Sequence, residues 1–386
     1  MSQNARVLIV GAGPVGLTMA IMLSMQGIKC RILDKRDLSS HALRAILISK
    51  ETENIFDSLG IMDLIKSKAL AVPSMSVAHY YHGLMKLDNS DSNLANPSFL
   101  HIYQPDIESI LIARLEGLGI KVERGFELTN LSNQDSCVKA TIRIADKTEE
   151  SKYEFLIGCD GVNSSVRSLA NIQYEEMMYN SAFVLADVLV PSVESTPQTY
   201  WYIDETGYLS IIPGTRNRLR IIQSVEENNE QMNLTPEILK KLIKQKTHKE
   251  IEILDIAWEA RSQFRHKIAL NGQRKRVFLA GDAYHIFSPI GGVNMNFGLS
   301  DAKSLVGYLS LVLAEHQPNR ILEQYEKERL IAINKTLDYT KLLTKMMTHP
   351  KKHKKLWQLF FSKYLRNASF KKDLMLQISG LSAKMY

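Results

Sequence analysis

Hydrophobic positions near the amino terminus form two kinds of pattern. Arg6 to Val10 is a continuous apolar run, typical of a strand buried in a parallel sheet. From Val15 to Met25 the apolar residues recur at helical spacing, and a second strand is predicted from Lys29 to Leu33. The pattern therefore predicts a strand, a helix and a second strand at the start of the chain.

The turn between the first strand and the helix is Gly11-Ala12-Gly13-Pro14-Val15-Gly16. Gly11 permits the turn, Gly13 lets the backbone approach a pyrophosphate, and Gly16 allows close contact between helix and strand. The helix amino terminus adds free N–H donors. Asp34 ends the second strand, where a carboxylate can accept hydrogen bonds from a ribose. Together these features favour a dinucleotide site over an ordinary glycine turn.

The next segments are predicted from shorter patterns. Residues 42–59 and 62–68 have helical periodicity, with Gly60 as a stop between them. Apolar residues alternate over 73–87, which predicts a strand, and the polar stretch 88–97 predicts a loop.

Between residues 179 and 268 the pattern changes to short alternating runs separated by turn residues. The predicted strands are Ala182–Val190, Thr199–Ile203, Tyr208–Ile212, Leu219–Val225 and Ala257–Gln263. They predict an antiparallel sheet inserted in the nucleotide-binding fold.

The carboxyl-terminal part is predicted to be helical. Helices are expected over 301–314 and 321–347, and a further helix places Trp357, Phe360, Phe361 and Tyr364 on one face. Phe370, Leu374 and Ile378 share a face at helical spacing beyond it. These apolar faces either pack on the body of the protein or cap a substrate opening.

Composition agrees with a globular enzyme of two intertwined domains. The chain has 386 residues, of which 45% are hydrophobic and 23% charged. It contains no run of about 18 apolar residues, and its three cysteines lack metal-binding or CxxC spacing. We therefore expect a cytoplasmic protein with reduced thiols and no metal site.

The net charge of +7 is concentrated at the carboxyl end, where residues 341–386 carry eleven Lys or Arg and one acid. This basic stretch is either a solvated helix face or a contact for an anionic membrane or nucleic acid. No nucleic-acid-binding motif accompanies it. We expect a monomer with no nucleic-acid partner and no stable membrane association.

Two later segments complete a family resemblance. Gly158-Cys159-Asp160-Gly161 precedes Ser165 and Arg167, and Gly281-Asp282-Ala283 precedes Pro289 and Asp301-Ala302. With the first glycine loop, they resemble the three ordered signatures of class A, single-component flavoprotein monooxygenases of the para-hydroxybenzoate hydroxylase type. The similarity extends over about residues 6–330.

The resemblance implies an α/β fold with three parts. These are a Rossmann-like FAD-binding domain (1–72, 98–178 and 268–318), an inserted antiparallel-sheet substrate domain (73–97 and 179–267), and a bridging helix with terminal cap helices (319–386). It implies FAD as cofactor and NADPH as a transient reductant. The implied FAD contacts are Gly11, Gly13, Pro14, Val15, Gly16, Asp34, Lys35, Arg44, Gln104, Asp160, Asp282, Pro289, Gly292, Val293 and Asn294.

One segment departs from the family pattern. The usual Gly-Gln-Gly-x-Asn is replaced here by Gly292-Val293-Asn294-Met295-Asn296. Glycine adopts positive φ freely and asparagine tolerates it, whereas valine does not. The resemblance therefore leaves the path of this loop open.

The implied chemistry needs no catalytic side chain. A flavin C4a-hydroperoxide formed with O₂ would deliver oxygen to an electron-rich ring, so we expect His285 to be structural. The candidate substrate residues are Gln198, Trp201, Tyr208, Arg220 and Gln223.

Compact length and extra terminal helices resemble the tetracycline destructases. This similarity implies a polycyclic enol or phenol substrate, with tetracycline first. The alternatives are a hydroxylase of a small aromatic acid or quinone precursor, a flavin reductase or dehydrogenase without oxygen transfer, and a membrane-associated or regulatory flavin-binding protein.

Overall fold

A computed structural model describes residues 5–37, 46–88, 99–226 and 234–367. Arg44, most of the predicted loop 88–97 and the predicted face of Phe370, Leu374 and Ile378 lie outside these ranges. The strands within the described ranges are β1 (Val7–Val10), β2 (Cys30–Asp34), β3 (Leu47–Ile48), β4 (Leu70–Val72), β5 (Ser74–His79), β6 (Gly83–Asp88), β7 (Phe99–His101), β8 (Glu123–Arg124), β9 (Phe126–Asn133), β10 (Val138–Ile144), β11 (Lys147–Tyr153), β12 (Phe155–Gly158), β13 (Tyr174–Leu189), β14 (Gln198–Asp204), β15 (Gly207–Pro213), β16 (Arg218–Glu226), β17 (Asp255–Ala269), β18 (Gln273–Arg274), β19 (Val277–Leu279) and β20 (His285–Ile286).

The helices of the same ranges connect and cover these strands. They are α1 (Pro14–Met25), α2 (Lys50–Ser58), α3 (Met62–Lys68), α4 (Gln104–Gly117), α5 (Ser165–Leu169), α6 (Pro236–Thr247), α7 (Val293–Leu313), α8 (Glu323–Thr348) and α9 (Lys354–Arg366), with short 3-10 turns at Gly281–Ala283 and Asn319–Leu322. None of these helices is both long and apolar enough to cross a bilayer.

The glycine loop belongs to a six-stranded sheet with the order β18-β19-β12-β1-β2-β8. β1 pairs in parallel with both β2 and β12, and β12 pairs in parallel with β19. β1 is fully buried, and α1 packs on α4 and α7 beside the sheet. Because the carboxyl ends of parallel strands meet at one edge, the loops after β1, β2, β12 and β19 lie together.

An eight-stranded sheet has the order β20-β17-β13-β16-β15-β14-β5-β6. Its pairs are antiparallel except for β14 with β5. One face packs against α6, through residues such as Leu209, Ile211 and Leu239. The other face carries Phe183, Leu185 and Tyr208 and packs towards α9. Residues 74–88 thus join this sheet by pairing with residues 198–203 of β14.

The predicted fold class is confirmed: a mixed α/β structure with a Rossmann-like sheet, a large mainly antiparallel sheet and carboxyl-terminal helices. Two local predictions are wrong. Residues 42–59 are not one helix, because Leu47–Ile48 forms β3 and Ser49 caps α2 by accepting from the Thr52 N–H. Residues 73–87 form a hairpin, with Gly83 at φ +83° after the turn. The division into domains stays a prediction.

Candidate active site

A cavity of about 920 Å³ lies between the carboxyl ends of the six-stranded sheet and one face of the eight-stranded sheet. The predicted FAD contacts that line it are Gly11, Gly13, Pro14, Val15, Asp34, Lys35, Gln104, Asp160, Asp282, Pro289, Gly292, Val293 and Asn294. Gly16 lies behind this lining, and Arg44 is outside the described residues. The fold therefore brings three distant sequence segments to one cavity.

The three glycines of the first loop have different surroundings. A Cβ added at Gly11, where φ is +104°, would lie 2.4 Å from the Cys159 carbonyl oxygen. A Cβ at Gly16 would lie 2.0 Å from the Gly11 carbonyl oxygen. Gly13 has no atom within 4 Å of its Cβ position and faces the cavity at the start of α1. Two glycines thus permit packing while the third leaves space for a diphosphate, so this loop fits FAD.

Asp34 is held at the mouth of this loop. Its Oδ2 accepts from the Ala12 N–H at 2.9 Å, and its Oδ1 accepts from the Arg36 N–H at 2.9 Å. Arg36 also forms an ion pair with it at 2.8 Å. Burial alone would raise the pKa of Asp34, but the hydrogen bonds from Arg36 and Ala12 outweigh burial and lower it. Asp34 is therefore an anionic acceptor, and Arg36, which follows it by two residues, lines the cavity as well.

The second motif is tied to the third through an arginine. Asp160 accepts from the Val166 N–H at 3.1 Å, and burial raises the pKa of its carboxyl. Arg167 donates to the Ala283 carbonyl oxygen at 3.1 Å and lies 3.8 Å above the Tyr174 ring. This contact fixes the Gly-Asp-Ala turn relative to α5 and thereby places Asp282 in the cavity wall.

The departure from the family pattern does not strain the late loop. The positive φ angles fall at Gly291 (+93°) and Gly292 (+64°), and Val293 is the first residue of α7. Asn294 accepts from the Phe287 N–H at 2.7 Å and donates to the Phe287 carbonyl oxygen at 2.9 Å. Valine is therefore compatible with this path. Asn294 closes the loop through its two hydrogen bonds to the backbone of Phe287, where the loop begins.

Asn296 also lines the cavity, and its side-chain amide takes part in four hydrogen bonds. Its Oδ1 accepts from the Ser49 N–H at 2.8 Å and from the Thr52 hydroxyl at 2.7 Å. Its Nδ2 donates to the carbonyl oxygens of Leu47 (3.1 Å) and Gly292 (2.9 Å). Asn296 thus joins β3 and the start of α2 to the start of α7 at the cavity wall.

A fully buried carboxylate supports the third motif from behind. Asp301 accepts from the Gly281 N–H at 2.8 Å, lies 2.6 Å from His285 Nε2, and accepts from Arg329 Nε at 2.7 Å. Burial would raise the pKa of Asp301, but the charges of His285 and Arg329 outweigh it and the pKa is lowered. His285 does not line the cavity and lies beside Asp301 behind the Gly-Asp-Ala turn; its structural role stays a prediction.

The substrate wall is one face of the eight-stranded sheet. Of the predicted residues, Trp201, Tyr208 and Arg220 line the cavity, whereas Gln198 and Gln223 do not. Side chains alternate along a strand, so Gln198 and Gln223 point to the opposite face from Trp201 and Arg220. Gln198 donates to the Ser76 hydroxyl and Gln223 to the Ser224 carbonyl oxygen. The placement of these two glutamines at the substrate is therefore wrong.

Arg220 is neutralised within the wall. Its Nε and Nη2 donate to the two carboxylate oxygens of Asp187 at 2.9 and 2.8 Å, across neighbouring strands. Both side chains are buried. Burial raises the pKa of Asp187, and Arg220 opposes that shift. Arg220 therefore presents a guanidinium whose position is fixed and whose charge is balanced by the carboxylate of Asp187.

The carboxyl-terminal helices close one side of the cavity. Met346 and Met347 of α8, and Trp357 and Phe360 of α9, belong to its lining. Trp357 also donates to the Met346 carbonyl oxygen at 3.1 Å, which fixes α9 on the end of α8. The predicted aromatic face thus both packs on the protein and borders the cavity.

The sequence of this chain matches the FAD binding domain family over residues 4–340. The chain therefore belongs to that family. The names of its relatives agree with the expected class, a class A FAD-dependent monooxygenase.

Two Streptomyces monooxygenases and one crystal structure are similar to this chain. The chain is 26% identical over 355 residues to 6-methylpretetramide 4-monooxygenase of Streptomyces rimosus, covering 90% of this chain and 63% of that protein. It is 25% identical over 334 residues to 12-dehydrotetracycline 5-monooxygenase/anhydrotetracycline 6-monooxygenase of Streptomyces rimosus subsp. rimosus, covering 84% and 66%. It thus spans less than two thirds of either relative. The crystal structure of p-nitrophenol 4-monooxygenase PnpA from Pseudomonas putida has a TM-score of 0.85 at 18% identity, covers 99% of both chains, and shows the shared fold.

Proposed function

We propose that this protein uses FAD, NADPH and O₂ to insert one oxygen atom into a polycyclic phenol or enol, with tetracycline as the first candidate. The observation that carries the proposal is the single cavity in which the glycine loop, the late loop and an apolar sheet face meet. The names of two relatives, which act on tetracycline-type compounds, support the substrate class.

Bound FAD would supply the activation of O₂. Gly13 and the start of α1 would hold its diphosphate, and Asp34 would accept from its ribose. Asp282 and the loop from Pro289 to Asn294 would border the rest of the cofactor. All of these residues line one continuous cavity, which is the basis for assigning them to one ligand.

The sheet face and the terminal helices would position the substrate and exclude water. Trp201, Tyr208 and Trp357 offer flat apolar surfaces for a ring system. Because Asp187 already neutralises Arg220, the wall favours a neutral polycyclic substrate over a small aromatic acid, whose carboxylate would need an uncompensated cation.

Three further properties belong to the same proposal. NADPH would act as the reductant, and the sequence, which has no second glycine loop, agrees with transient binding of it. The cysteines of the described ranges are free, which supports a reducing, cytoplasmic location. We also propose a monomer.

Mass spectrometry tests this proposal directly. Purified protein with FAD, NADPH and ¹⁸O₂ would be incubated with tetracycline, anhydrotetracycline and a panel of small aromatic acids, with catalase present. We expect one labelled oxygen on a tetracycline. NADPH oxidation without any labelled product would refute the monooxygenase proposal, whereas label on an aromatic acid alone would refute the polycyclic substrate. A Gly13→Val variant, designed to exclude FAD, is the matched control.

A further inference from the structure

Five cavity-lining residues of the described ranges have a buried polar atom without a protein partner. Glu108 and Asp160 are two of them and lie on the cofactor side; the other three atoms are Nε2 of His101, Oγ1 of Thr199 and Oγ of Ser210. Their residues are only 0%, 7% and 1% exposed, and all three line the cavity. Buried polar groups are normally hydrogen-bonded, so three unsatisfied atoms around one cavity indicate a polar ligand.

The protonation of His101 can be worked out from its contacts. Its Nδ1 lies 2.7 Å from the Pro213 carbonyl oxygen, which can only accept, so Nδ1 carries a proton. Burial and the nearby Arg220 lower the pKa of His101 to about 4, so the ring is neutral at pH 7. The Nε2 atom is therefore a hydrogen-bond acceptor, and its partner has to be a donor such as a hydroxyl.

Thr199 and Ser210 lie on the same face of neighbouring strands. Ser210 pairs with Trp201, two residues beyond Thr199, so the two positions are diagonal neighbours roughly 7–8 Å apart. Their hydroxyl groups can donate or accept. His101 connects to this sheet through Pro213, at the end of the strand that carries Ser210. The three residues thus lie along one edge of the sheet face that lines the cavity.

We propose that His101, Thr199 and Ser210 form a hydroxyl-recognition subsite for the substrate. A free phenol or enol hydroxyl donates to His101 Nε2, while Thr199 and Ser210 bind further oxygens along the same edge of a flat molecule. This inference rests on the proposed function in taking the cavity as the substrate site. It selects oxygen-rich polycyclic compounds with a free hydroxyl and discriminates against their methyl ethers.

Binding to the oxidised FAD holoenzyme tests the subsite without turnover. The three tryptophans of the chain, Trp201, Trp258 and Trp357, all line the cavity, so quenching of their fluorescence reports on it. The probes are 2,6-dihydroxyanthraquinone and its dimethyl ether. We expect the wild-type protein to bind the dihydroxy compound about threefold to tenfold more tightly, as one net hydrogen bond allows.

Two variants at His101 separate recognition from folding. His101→Asn keeps an amide donor for Pro213 but removes the acceptor at Nε2, so the preference is expected to disappear. His101→Gln places an amide oxygen near Nε2, so the preference is expected to return. Ser76→Ala, a buried serine on the opposite face of the sheet, is the control and should keep the preference.

Thr199→Val and Ser210→Ala should weaken both quinones by a few-fold while leaving the hydroxyl preference intact. The subsite is overturned if the wild-type protein shows no preference, including the case in which neither quinone binds. It is also overturned if His101→Asn keeps the preference or His101→Gln fails to restore it. The binding assay contains no NADPH and does not depend on turnover. A failure to oxygenate tetracycline would therefore refute the proposed reaction without changing the outcome of the binding assay.

Discussion

Gly13→Ala and Gly16→Ala lie in one loop but should affect different properties of the protein. Gly16→Ala should lower the stability of the fold, whereas Gly13→Ala should lower the affinity for FAD. The Cβ of Gly16→Ala would lie 2.0 Å from the Gly11 carbonyl oxygen, well inside van der Waals contact. The backbone must move apart, at a cost of about 3 kcal/mol. That is a large part of the roughly 5–15 kcal/mol that stabilises a typical domain.

Gly13→Ala has no such cost in the chain itself. Gly13 has φ −81° and ψ −176°, which alanine adopts, and no atom lies within 4 Å of the new methyl group. Reduced freedom of the unfolded chain should stabilise the apoprotein by about 0.4–1 kcal/mol. The methyl group would instead occupy the approach of the diphosphate, and we expect FAD affinity to fall at least tenfold, or about 1.4 kcal/mol.

Urea unfolding of the apoproteins and FAD titration by flavin fluorescence measure the two effects separately. The apoproteins are needed because bound FAD adds its own stabilisation. The reasoning is refuted if Gly13→Ala unfolds at clearly lower urea than the wild type, or if it binds FAD normally. It is equally refuted if Gly16→Ala leaves the apoprotein as stable as the wild type.

Three other changes have directions set by the structure. Arg329→Met leaves the carboxylate of Asp301 buried without its guanidinium, and should lower the free energy of unfolding by about 3–5 kcal/mol in urea. Asn294→Leu removes both bonds to the Phe287 backbone, and should weaken FAD binding by about 2 kcal/mol in a fluorescence titration. Three buried histidines have their pKa lowered from 6.5 to about 4 by burial. Because the unfolded chain binds more protons between these values, stability should fall from pH 6.5 towards pH 4 with a slope of about two to three protons, and His79→Gln should reduce it by about one.

Each of these has a contradicting result. Arg320→Met, at an exposed position, is the control for Arg329→Met, and equal stability of the two variants would contradict the buried-pair argument. Normal FAD affinity in Asn294→Leu would show that the loop keeps its path without the two hydrogen bonds between Asn294 and the Phe287 backbone. A flat stability profile between pH 6.5 and 4 would mean that the histidines are not buried as described.

The cofactor side was largely predictable because its residues are fixed by backbone geometry. Gly11 and Gly16 occupy positions where a Cβ would clash, so only glycine fits. The path of the late loop was not predictable, because it depends on where α7 begins and on the contact of Asn294 with Phe287. Neither is encoded in local periodicity.

The substrate side shows a different limit. Trp201 and Gln198 differ by an odd number of positions on one strand, so they cannot share a face. The same parity separates Arg220 from Gln223. Strand alternation in the sequence thus shows that the two members of each pair cannot face one cavity together, but the structure is needed to show that Trp201 and Arg220 are on the cavity face. His101, in contrast, reaches the cavity only through its tertiary contact with Pro213, for which the sequence carries no signal.

The two-sided sheet also limits how this protein can evolve. Point substitutions at alternate positions of β14, β15 and β16 change the cavity wall while leaving the face that packs on α6 untouched. A single inserted or deleted residue within one of these strands would exchange the two faces beyond it, burying the wrong side chains on both. New substrate ranges are therefore expected to arise by substitution within the strands, with length changes confined to the turns between them.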